Sequence, residues 1–268
     1  MISLVGLITA LAAVVGVTAL PSQDSSGVIL EARESHLQAR QAEAPTPATH
    51  VRTPISGPHG GYRYEWWTNT PNYEAPNTAY TLEPDGAISV EWNDDLALTF
   101  GLGWHRPYGS RLRDITYSAN LSVTTGAAFT GIHGVTINPF VEYYIVDDYT
   151  PEFQSWFDRF NNESTMYVSM GEVHTSFGVY DLYLHRTFPM MQEYLQARNW
   201  AIRRTTRSEG TIKTKEIFDA WLGSRSFWLG SHLSMLVGVV AWEGSQGSAR
   251  VKILEDEELE GGTLCWIQ

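Results

Sequence analysis

The chain has 268 residues, of which 43% are hydrophobic and 18% are charged, a composition typical of a globular protein. Its formal net charge of −12 argues against nucleic acid and anionic membrane surfaces as binding partners. The single cysteine, Cys265, excludes an intrachain disulfide and a cysteine-rich metal site. The 10 Trp and 13 Tyr residues are typical of β-rich cores and of surfaces that stack on sugar rings.

The N-terminal segment is apolar. Residues 1–19 carry no charge and end in the small-residue triplet Val17-Thr18-Ala19, which predicts a secretory signal peptide. Because no basic residue precedes the apolar run, a membrane anchor is the alternative. Asn120 and Asn162 begin glycosylation triplets, in agreement with export. We therefore expect a secreted, extracellular protein with no membrane association after the signal peptide is removed.

Composition divides the rest of the chain into three parts. Residues 20–56 are rich in Ser, Ala, Glu and Pro and lack an apolar pattern, which predicts a disordered pro-segment or linker. Residues 57–254 contain short runs of Tyr, Trp, Val, Ile and Thr separated by Gly, Asn, Asp and Pro, a pattern typical of a β-sandwich or barrel. Within them, residues 214–223 offer a Thr N-cap and a terminal Gly and predict one helix. Residues 255–268 begin with an acidic run and are interpreted as a solvated tail.

Two glutamates, Glu142 and Glu243, each lie inside an apolar, aromatic, strand-forming run. A carboxylate in such a strand must be paired or must line a cleft, because desolvation penalises its charge. Alternation along a strand predicts that Glu142 shares a face with Tyr144, and Glu243 with Ala241. If these faces oppose each other, the two carboxylates flank a substrate as glycosidic bond cleavage requires. The alternative is that each glutamate is a surface or ion-paired residue.

A series of motifs keeps one order along the chain. Asn-Pro-Phe-Val-Glu-Tyr-Tyr-Ile-Val occupies residues 138–146 and is the most specific of them. The others are Gly-Tyr-Arg-Tyr-Glu-Trp-Trp-Thr-Asn at 61–69, Gly-Leu-Gly-Trp at 101–104, Tyr-Asp-Leu-Tyr at 180–183, Trp-Ala-Ile-Arg-Arg at 200–204, Phe-Asp-Ala-Trp at 218–221 and Ala-Trp-Glu-Gly at 241–244. Together they resemble the endo-1,4-β-xylanases of glycoside hydrolase family 11. The resemblance implies an all-β fold, a β-jelly roll sandwich of two curved antiparallel sheets with one α-helix.

The resemblance also implies an activity. Members of that family are retaining enzymes that hydrolyse internal β-1,4-xylosidic bonds of xylan by double displacement, without a metal or other cofactor. Glu142 matches the nucleophile and Glu243 the general acid/base. Retention requires the two carboxyl groups to lie roughly 5 to 5.5 Å apart. The expected partner is xylan or a related β-1,4-glycan, and the expected state is a monomer.

Five further residues match or replace substrate-binding positions of the family. Trp67 matches the aromatic residue that stacks on the sugar at the non-reducing side, and Tyr144 matches a tyrosine near the nucleophile. Arg186 and Pro189 match the base and the tip of the thumb. His133 replaces a tyrosine that hydrogen-bonds the nucleophile, and could itself donate to that carboxylate. For each of them, packing is the alternative role.

The sequence also departs from the family pattern near both glutamates. Val237 replaces a cleft tyrosine, Arg198 replaces a glutamine, Ser245 replaces an aromatic residue, and Ala97 stands where an Asp or Asn tunes the acid/base. The loss of a transition-state hydrogen bond typically costs ~3 kcal/mol, so activity on ordinary xylan is expected to be weak or retuned. Two alternatives stay open: a catalytically impaired protein that binds polysaccharide or a host protein, and an enzyme with specificity for another β-linked glycan.

Overall fold

A computed structural model describes residues 55–69, 78–105, 111–163, 167–186, 195–223 and 229–263. The predicted signal peptide, nearly all of the predicted pro-segment, Pro189 and Cys265 lie outside these residues. The described residues form two helices, α1 (Pro151–Glu163) and α2 (Thr214–Gly223). They also form the strands β1 (Ile55–His59), β2 (Tyr62–Asn69), β3 (Thr78–Leu82), β4 (Ile88–His105), β5 (Arg111–Ile137), β6 (Phe140–Tyr149), β7 (Tyr167–Thr175), β8 (Gly178–Arg186), β9 (Leu195–Arg203), β10 (Glu209–Lys213) and β11 (Ser231–Thr263).

Hydrogen bonds connect the strands into one sheet in the order β1-β2-β4-β11-β5-β6-β9-β8-β7, while β3 pairs with β4 and β10 pairs with β5. Of the pairs in the described residues, only β6–β9 is parallel. The three longest strands, β4, β5 and β11, lie side by side at the centre, and β11 pairs with both of its long neighbours. The prediction of an all-β fold is confirmed.

The inner core lies on one face of the central strands. It contains Val141, Tyr143 and Ile145 of β6, together with Val237 and Val239 of β11. Helix α2 packs there through Ile217, Phe218 and Trp221, all of them buried. The rings of Phe218 and Trp221 lie 5.2 Å and 5.9 Å from the Tyr143 ring, centroid to centroid. The helix predicted over residues 214–223 is therefore confirmed, and packing on Tyr143 stabilises it.

Helix α1 was not predicted. It begins after Thr150, whose Oγ1 accepts a hydrogen bond from the Phe153 amide at 3.1 Å, and Pro151 occupies its first position. A Thr cap followed by Pro is a favourable helix start. Phe153, Trp156 and Phe157 follow at the spacing of one apolar helix face. This spacing is the sequence signal that could have revealed the helix.

The acidic segment also differs from its prediction. Residues 255–263 continue β11, and residues 255–258 pair with β5 instead of forming a solvated tail. The physical reason is Arg113, a nearly buried β5 residue that donates to Asp256 at 2.5 Å and to Glu258 at 3.1 Å. Its guanidinium also lies 4.5 Å from the Trp104 ring centroid. The acidic side chains therefore neutralise a buried cation.

Within the part of the chain that the structure describes, no helix has the length and hydropathy needed to cross a membrane.

Candidate active site

Glu142 lies on the face of β6 opposite the inner core. Val141 and Tyr143 point into that core, so alternation places Glu142 and Tyr144 on the other face, which we call the site face. The pairing register shows which residues of the neighbouring strands lie on the same face. Glu142 pairs with Val135 of β5 and with Arg198 of β9. The prediction that Glu142 and Tyr144 share a face is confirmed.

Arg198 forms an ion pair with Glu142. Its Nε donates to Glu142 Oε2 at 2.6 Å, and the two side chains are only 8% and 13% exposed. Burial by itself raises the pKa of Glu142, but the charge of Arg198 and the hydrogen bonds from Arg198 and Tyr144 outweigh it, so that the pKa lies below its ordinary value. Glu142 is therefore an ionised carboxylate at neutral pH.

Tyr144 is held in an aromatic stack beside the carboxylate. Its ring lies between His133, at 5.0 Å, and Trp200, at 4.1 Å, with interplanar angles of 15° and 17°. Its hydroxyl donates to Glu142 Oε2 at 3.4 Å. The stack fixes the direction of the hydroxyl, so Tyr144 orients the carboxylate.

His133 is on the site face, opposite Tyr144 across the β5–β6 pair. Neither of its ring nitrogens has a hydrogen-bond partner among the described residues. Burial lowers the pKa of His133, although the negative charge of Glu142 opposes this shift. The ring is therefore neutral at pH 7, and the expected hydrogen bond from His133 to the nucleophile is absent from the described structure.

Sequence reasoning missed a second carboxylate on the site face, Glu65 of β2. Its Oε2 lies 3.0 Å from His105 Nε2, and both side chains are about a quarter exposed, at 24% and 25%. Burial raises the pKa of Glu65, but the hydrogen bond and charge of His105 outweigh it and the pKa is lowered. Trp67, two residues further on the same strand, is half-buried on the same face. Alternation with Trp67 is the signal that could have identified Glu65.

Glu243 lies in β11 at an irregular point. Pairing with β4 is interrupted between Trp242 and Ser245 and pairing with β5 between Trp242 and Gln246, and Gly244 has a φ of 66°. The Glu243 carboxylate lies outside the described structure, as do the Arg186 side chain and all of Pro189. Strand β11 is therefore regular before Glu243 and contains a bulge after it.

The structure corrects two expectations about β11. Val237, Val239 and Ala241 belong to the inner core, not to the face that carries Glu142. Leu236 and Val240 instead pair with His133 and Phe129 and so lie on the site face. The reason is that β11 is a central strand whose odd-numbered residues in this stretch fill the core. In this chain Val237 therefore does not line the site face, and alternation cannot be extended through the bulge to Glu243.

Helix α1 lies on the site face. Phe153 contacts Phe129 at 5.4 Å, and Phe157 contacts Trp200 at 5.4 Å and Tyr183 at 4.8 Å, centroid to centroid. Trp156 stacks on Trp242 at 5.2 Å and 14°. The strands under these contacts are β11, β5, β9 and β8. The helix therefore covers the part of the site face that contains Phe129, Trp200 and Trp242.

The candidate active site is therefore the ionised and oriented carboxylate of Glu142, which lies among aromatic side chains. In the described residues, no group of three or more His, Cys, Asp or Glu side chains is arranged to hold a metal ion. A fixed carboxylate with a lowered pKa is suited to nucleophilic attack or to stabilising a positive centre.

Comparison with known proteins identifies the family. Residues 59–253 match the family model described as glycosyl hydrolases family 11. The endo-1,4-beta-xylanase 4 of Pyricularia oryzae is 33% identical over 92% of this chain and 96% of its own length. The ethylene-inducing xylanase of Penicillium digitatum is 32% identical over 74% of this chain and 85% of its own length.

Solved structures show the same fold. A structure of the ENZbleach xylanase superposes with a TM-score of 0.62 at 17% identity, over 83% of this chain and 94% of that chain. One of the endo-1,4-beta-xylanases of Trichoderma reesei gives a TM-score of 0.52 at 20% identity, over 80% of this chain and 100% of that chain. The predicted jelly roll is confirmed by these likenesses. The chain belongs to glycosyl hydrolase family 11.

Proposed function

We propose that this protein is a secreted, monomeric, retaining endo-xylanase that hydrolyses internal β-1,4-xylosidic bonds of xylan. The observation that carries the proposal is the Glu142 site. An ionised carboxylate is held by Arg198 and Tyr144 inside the most specific motif of the family. The xylanase names of the relatives, at 31–33% identity, support xylan as the substrate.

In the proposed mechanism, Glu142 attacks the anomeric carbon and forms a covalent glycosyl ester. Glu243 donates a proton to the departing glycosidic oxygen, so the bond to the leaving sugar breaks as the ester forms. Glu243 then takes a proton from water, and the resulting hydroxide oxygen attacks the anomeric carbon and releases Glu142. Two inversions give net retention. Trp67, half-buried on the site face, would stack on a sugar ring, and Arg186 and Pro189 would contact the glycan from the thumb.

Arg198 bears on the rate of this mechanism. An ion-paired carboxylate is a weaker nucleophile than a free one, because attack requires the charge to leave its partner. We expect slower turnover than a glutamine at this position would give. The pair also keeps Glu142 ionised in acid, which extends activity to lower pH.

The test is reducing-sugar release from glucuronoxylan by the parent, Glu142→Gln and Glu243→Gln, with Glu91→Gln as the matched control at an exposed β4 position. We expect release by the parent and the control only, and a first-formed product with the β configuration by proton NMR. An α product would exclude retention. No release by a folded parent on xylan or on other β-glycans would overturn the proposal and favour a protein that binds polysaccharide without hydrolysing it.

A further inference from the structure

We propose that Arg63 of β2 binds the carboxylate of a uronosyl branch, so that the protein prefers acid-branched xylan to xylan with uncharged branches. The inference rests on the proposed function and deepens it, because it concerns a branch on a glycan that lies between Glu142 and Trp67. The xylose units next to Glu142 carry no branch in this proposal, and the branched unit lies at the β2 end of the site face.

Arg63 shares the site face with Glu65 and Trp67. Tyr64 and Trp66 alternate with them on β2 and pack against the inner core, so the other three side chains point to the opposite face. Arg63 is exposed, Glu65 is about a quarter exposed, and Trp67 is half-buried. The β2 end of the site face therefore presents a guanidinium, a carboxylate and an aromatic ring along a single strand.

Helix α1 closes the direct row that leads from Trp67 across the sheet. Trp67 pairs with Thr99 of β4, which pairs with Val240 of β11. Val240 pairs in turn with Phe129 of β5. Val240 and Phe129 belong to the same cluster of buried side chains as Phe153 of α1. A glycan that extends from Trp67 to the nucleophile therefore cannot follow this row over β11 and β5.

The adjacent row begins at Glu65 and is not covered in this way. It continues on β4, β11 and β5 with three residues that have no side chain, Gly101, Gly238 and Gly131. Glu142 lies on β6, the strand after β5, so a glycan on this route crosses the strands and passes beside Glu65. A branch leaves the main chain of the glycan sideways and hence points along a strand. Since Trp67 is one neighbour of Glu65 on this face and Arg63 is the other, a branch that points away from Trp67 meets Arg63.

The guanidinium of Arg63 has donors available for a ligand. Its Nη2 donates to Ser56 Oγ at 2.8 Å, and within the described residues no carboxylate forms an ion pair with it. A guanidinium carries several N–H donors, so those that Ser56 does not use remain available. Two parallel N–H groups match the two oxygens of a carboxylate, which is the geometry by which arginine binds acidic groups.

Glu65 does not neutralise Arg63 by direct contact. Its Oε2 lies 3.0 Å from His105 Nε2 of β4, whereas the Arg63 guanidinium turns to Ser56 of β1. Burial raises the pKa of Glu65 and the hydrogen bond and charge of His105 lower it, with Arg63 the smallest of the groups that lower it. Glu65 is therefore an anion that repels an acidic branch, while Arg63 attracts it. The two charges act on such a branch with opposite sign.

The test compares two ligands that differ only in charge. One is xylotetraose with a 4-O-methylglucuronosyl branch on the second unit from its non-reducing end, the side on which Trp67 is expected to stack. The other is the same compound after reduction of its carboxyl group to an alcohol. Both are titrated into Glu142→Gln, so that binding is measured without hydrolysis. We expect the acidic ligand to bind about threefold more tightly at low ionic strength, the size of one exposed charge pair. The difference should disappear in about 1 M salt, where the Debye length is about 3 Å.

Three further substitutions are introduced separately into Glu142→Gln. Arg63→Gln should abolish the difference between the two ligands, whereas Glu65→Gln should increase it, because the repelling charge is removed. Lys215→Gln changes the net charge by the same amount as Arg63→Gln, but at an exposed position of α2 on the opposite side of the sheet, and should leave the difference unchanged. Equal affinities for the two ligands in Glu142→Gln would overturn the proposal. A difference that survives Arg63→Gln would overturn it as well, as would an Arg63→Gln variant that loses affinity for both ligands alike.

The outcomes separate the role of Arg63 from the proposed function. Hydrolysis of xylan by the parent, together with equal affinities for the two ligands, would overturn the role of Arg63 and leave the xylanase intact. No hydrolysis, together with tighter binding of the acidic ligand that depends on Arg63, would overturn the xylanase and support the branch-binding residue. Neither hydrolysis nor binding would overturn both.

Discussion

Arg198 is the side chain that lowers the pKa of Glu142 most strongly, because its guanidinium contacts the carboxylate inside a nearly water-free site. The sequence comparison predicts that glutamine is usual at this position in the family. A glutamine could still donate a hydrogen bond, but it would supply no charge. Burial raises the pKa of Glu142, and only neutral hydrogen bonds would then mainly oppose that rise.

We therefore expect Arg198→Gln to raise the pKa of Glu142 and to move the acidic limb of the kcat/KM profile to higher pH. The sign follows because the nucleophile must be ionised, and a raised pKa protonates it at higher pH. A buried carboxylate without its cation should also lower the free energy of unfolding by about 3 kcal/mol. The measurements are the pH profile and urea unfolding, with the exposed Arg204→Gln as the control. An unchanged acidic limb would contradict this account of the site.

At the residue scale, sequence reasoning located Glu142 and Tyr144 correctly because alternation is a local property of a strand. It could not place Arg198 against Glu142. That contact depends on the parallel register of β6 and β9, whose paired residues are 56 positions apart. The sequence also gave no warning that Val237 lies in the core, since the pattern on β11 does not reveal which of its faces fills the core.

At the scale of single elements, helix α1 depends on its cap. Thr150 bonds the Phe153 amide and also joins the helix to β5. Removing a Thr cap costs about 0.5–2 kcal/mol, and the lost contact to Ala128 places the expected value near the upper end. We therefore expect Thr150→Ala to lower the free energy of unfolding by about 2 kcal/mol.

Urea unfolding of Thr150→Ala beside Thr206→Ala, an exposed threonine, measures this effect. Equal stabilities would show that α1 does not depend on Thr150. The two helices also show what an isolated pattern can predict. In α2, a Thr cap, an i, i+4 apolar pair and a terminal glycine agree with each other. In α1, an initial proline and the all-β surroundings obscured an apolar face that the sequence does contain.

The whole molecule contains buried histidines that resist protonation. Burial lowers the pKa values of His185 and His232 to about 4, and that of His133 is lowered as well. In the unfolded chain these groups titrate near pH 6.5. Between pH 6.5 and 4 the unfolded state therefore binds protons that the folded state does not bind. The free energy of unfolding consequently falls as the pH falls.

We expect His185 and His232 each to account for a loss of roughly 3 kcal/mol across that interval. Chemical unfolding at pH 7, 5.5 and 4 measures the loss. His232→Phe keeps an aromatic ring beside Tyr143 and Phe218 but removes the proton site, so its stability should fall less steeply with acid. A parent and variant with the same pH dependence would contradict the assignment.

The order of the sequence motifs was sufficient to predict the jelly roll, since one fold accommodates all of them in that order. The extent of β11 was not predictable, because a run of acidic residues resembles a solvated segment unless its buried cation is known. Arg113 lies more than 140 positions earlier, and only the folded sheet brings it to Asp256 and Glu258.

Strand β11 also has a consequence for synthesis. It is the last of the described strands to leave the ribosome, yet it lies between β4 and β5, which do not pair with each other in the described sheet. Until it arrives, the nascent chain has two long open edges and no bond across the centre of its sheet. The unpaired backbone groups of such strand edges can form hydrogen bonds with other chains. The two halves of the sheet therefore cannot be joined before β11 is synthesised, and we expect any sheet formed earlier to expose these edges.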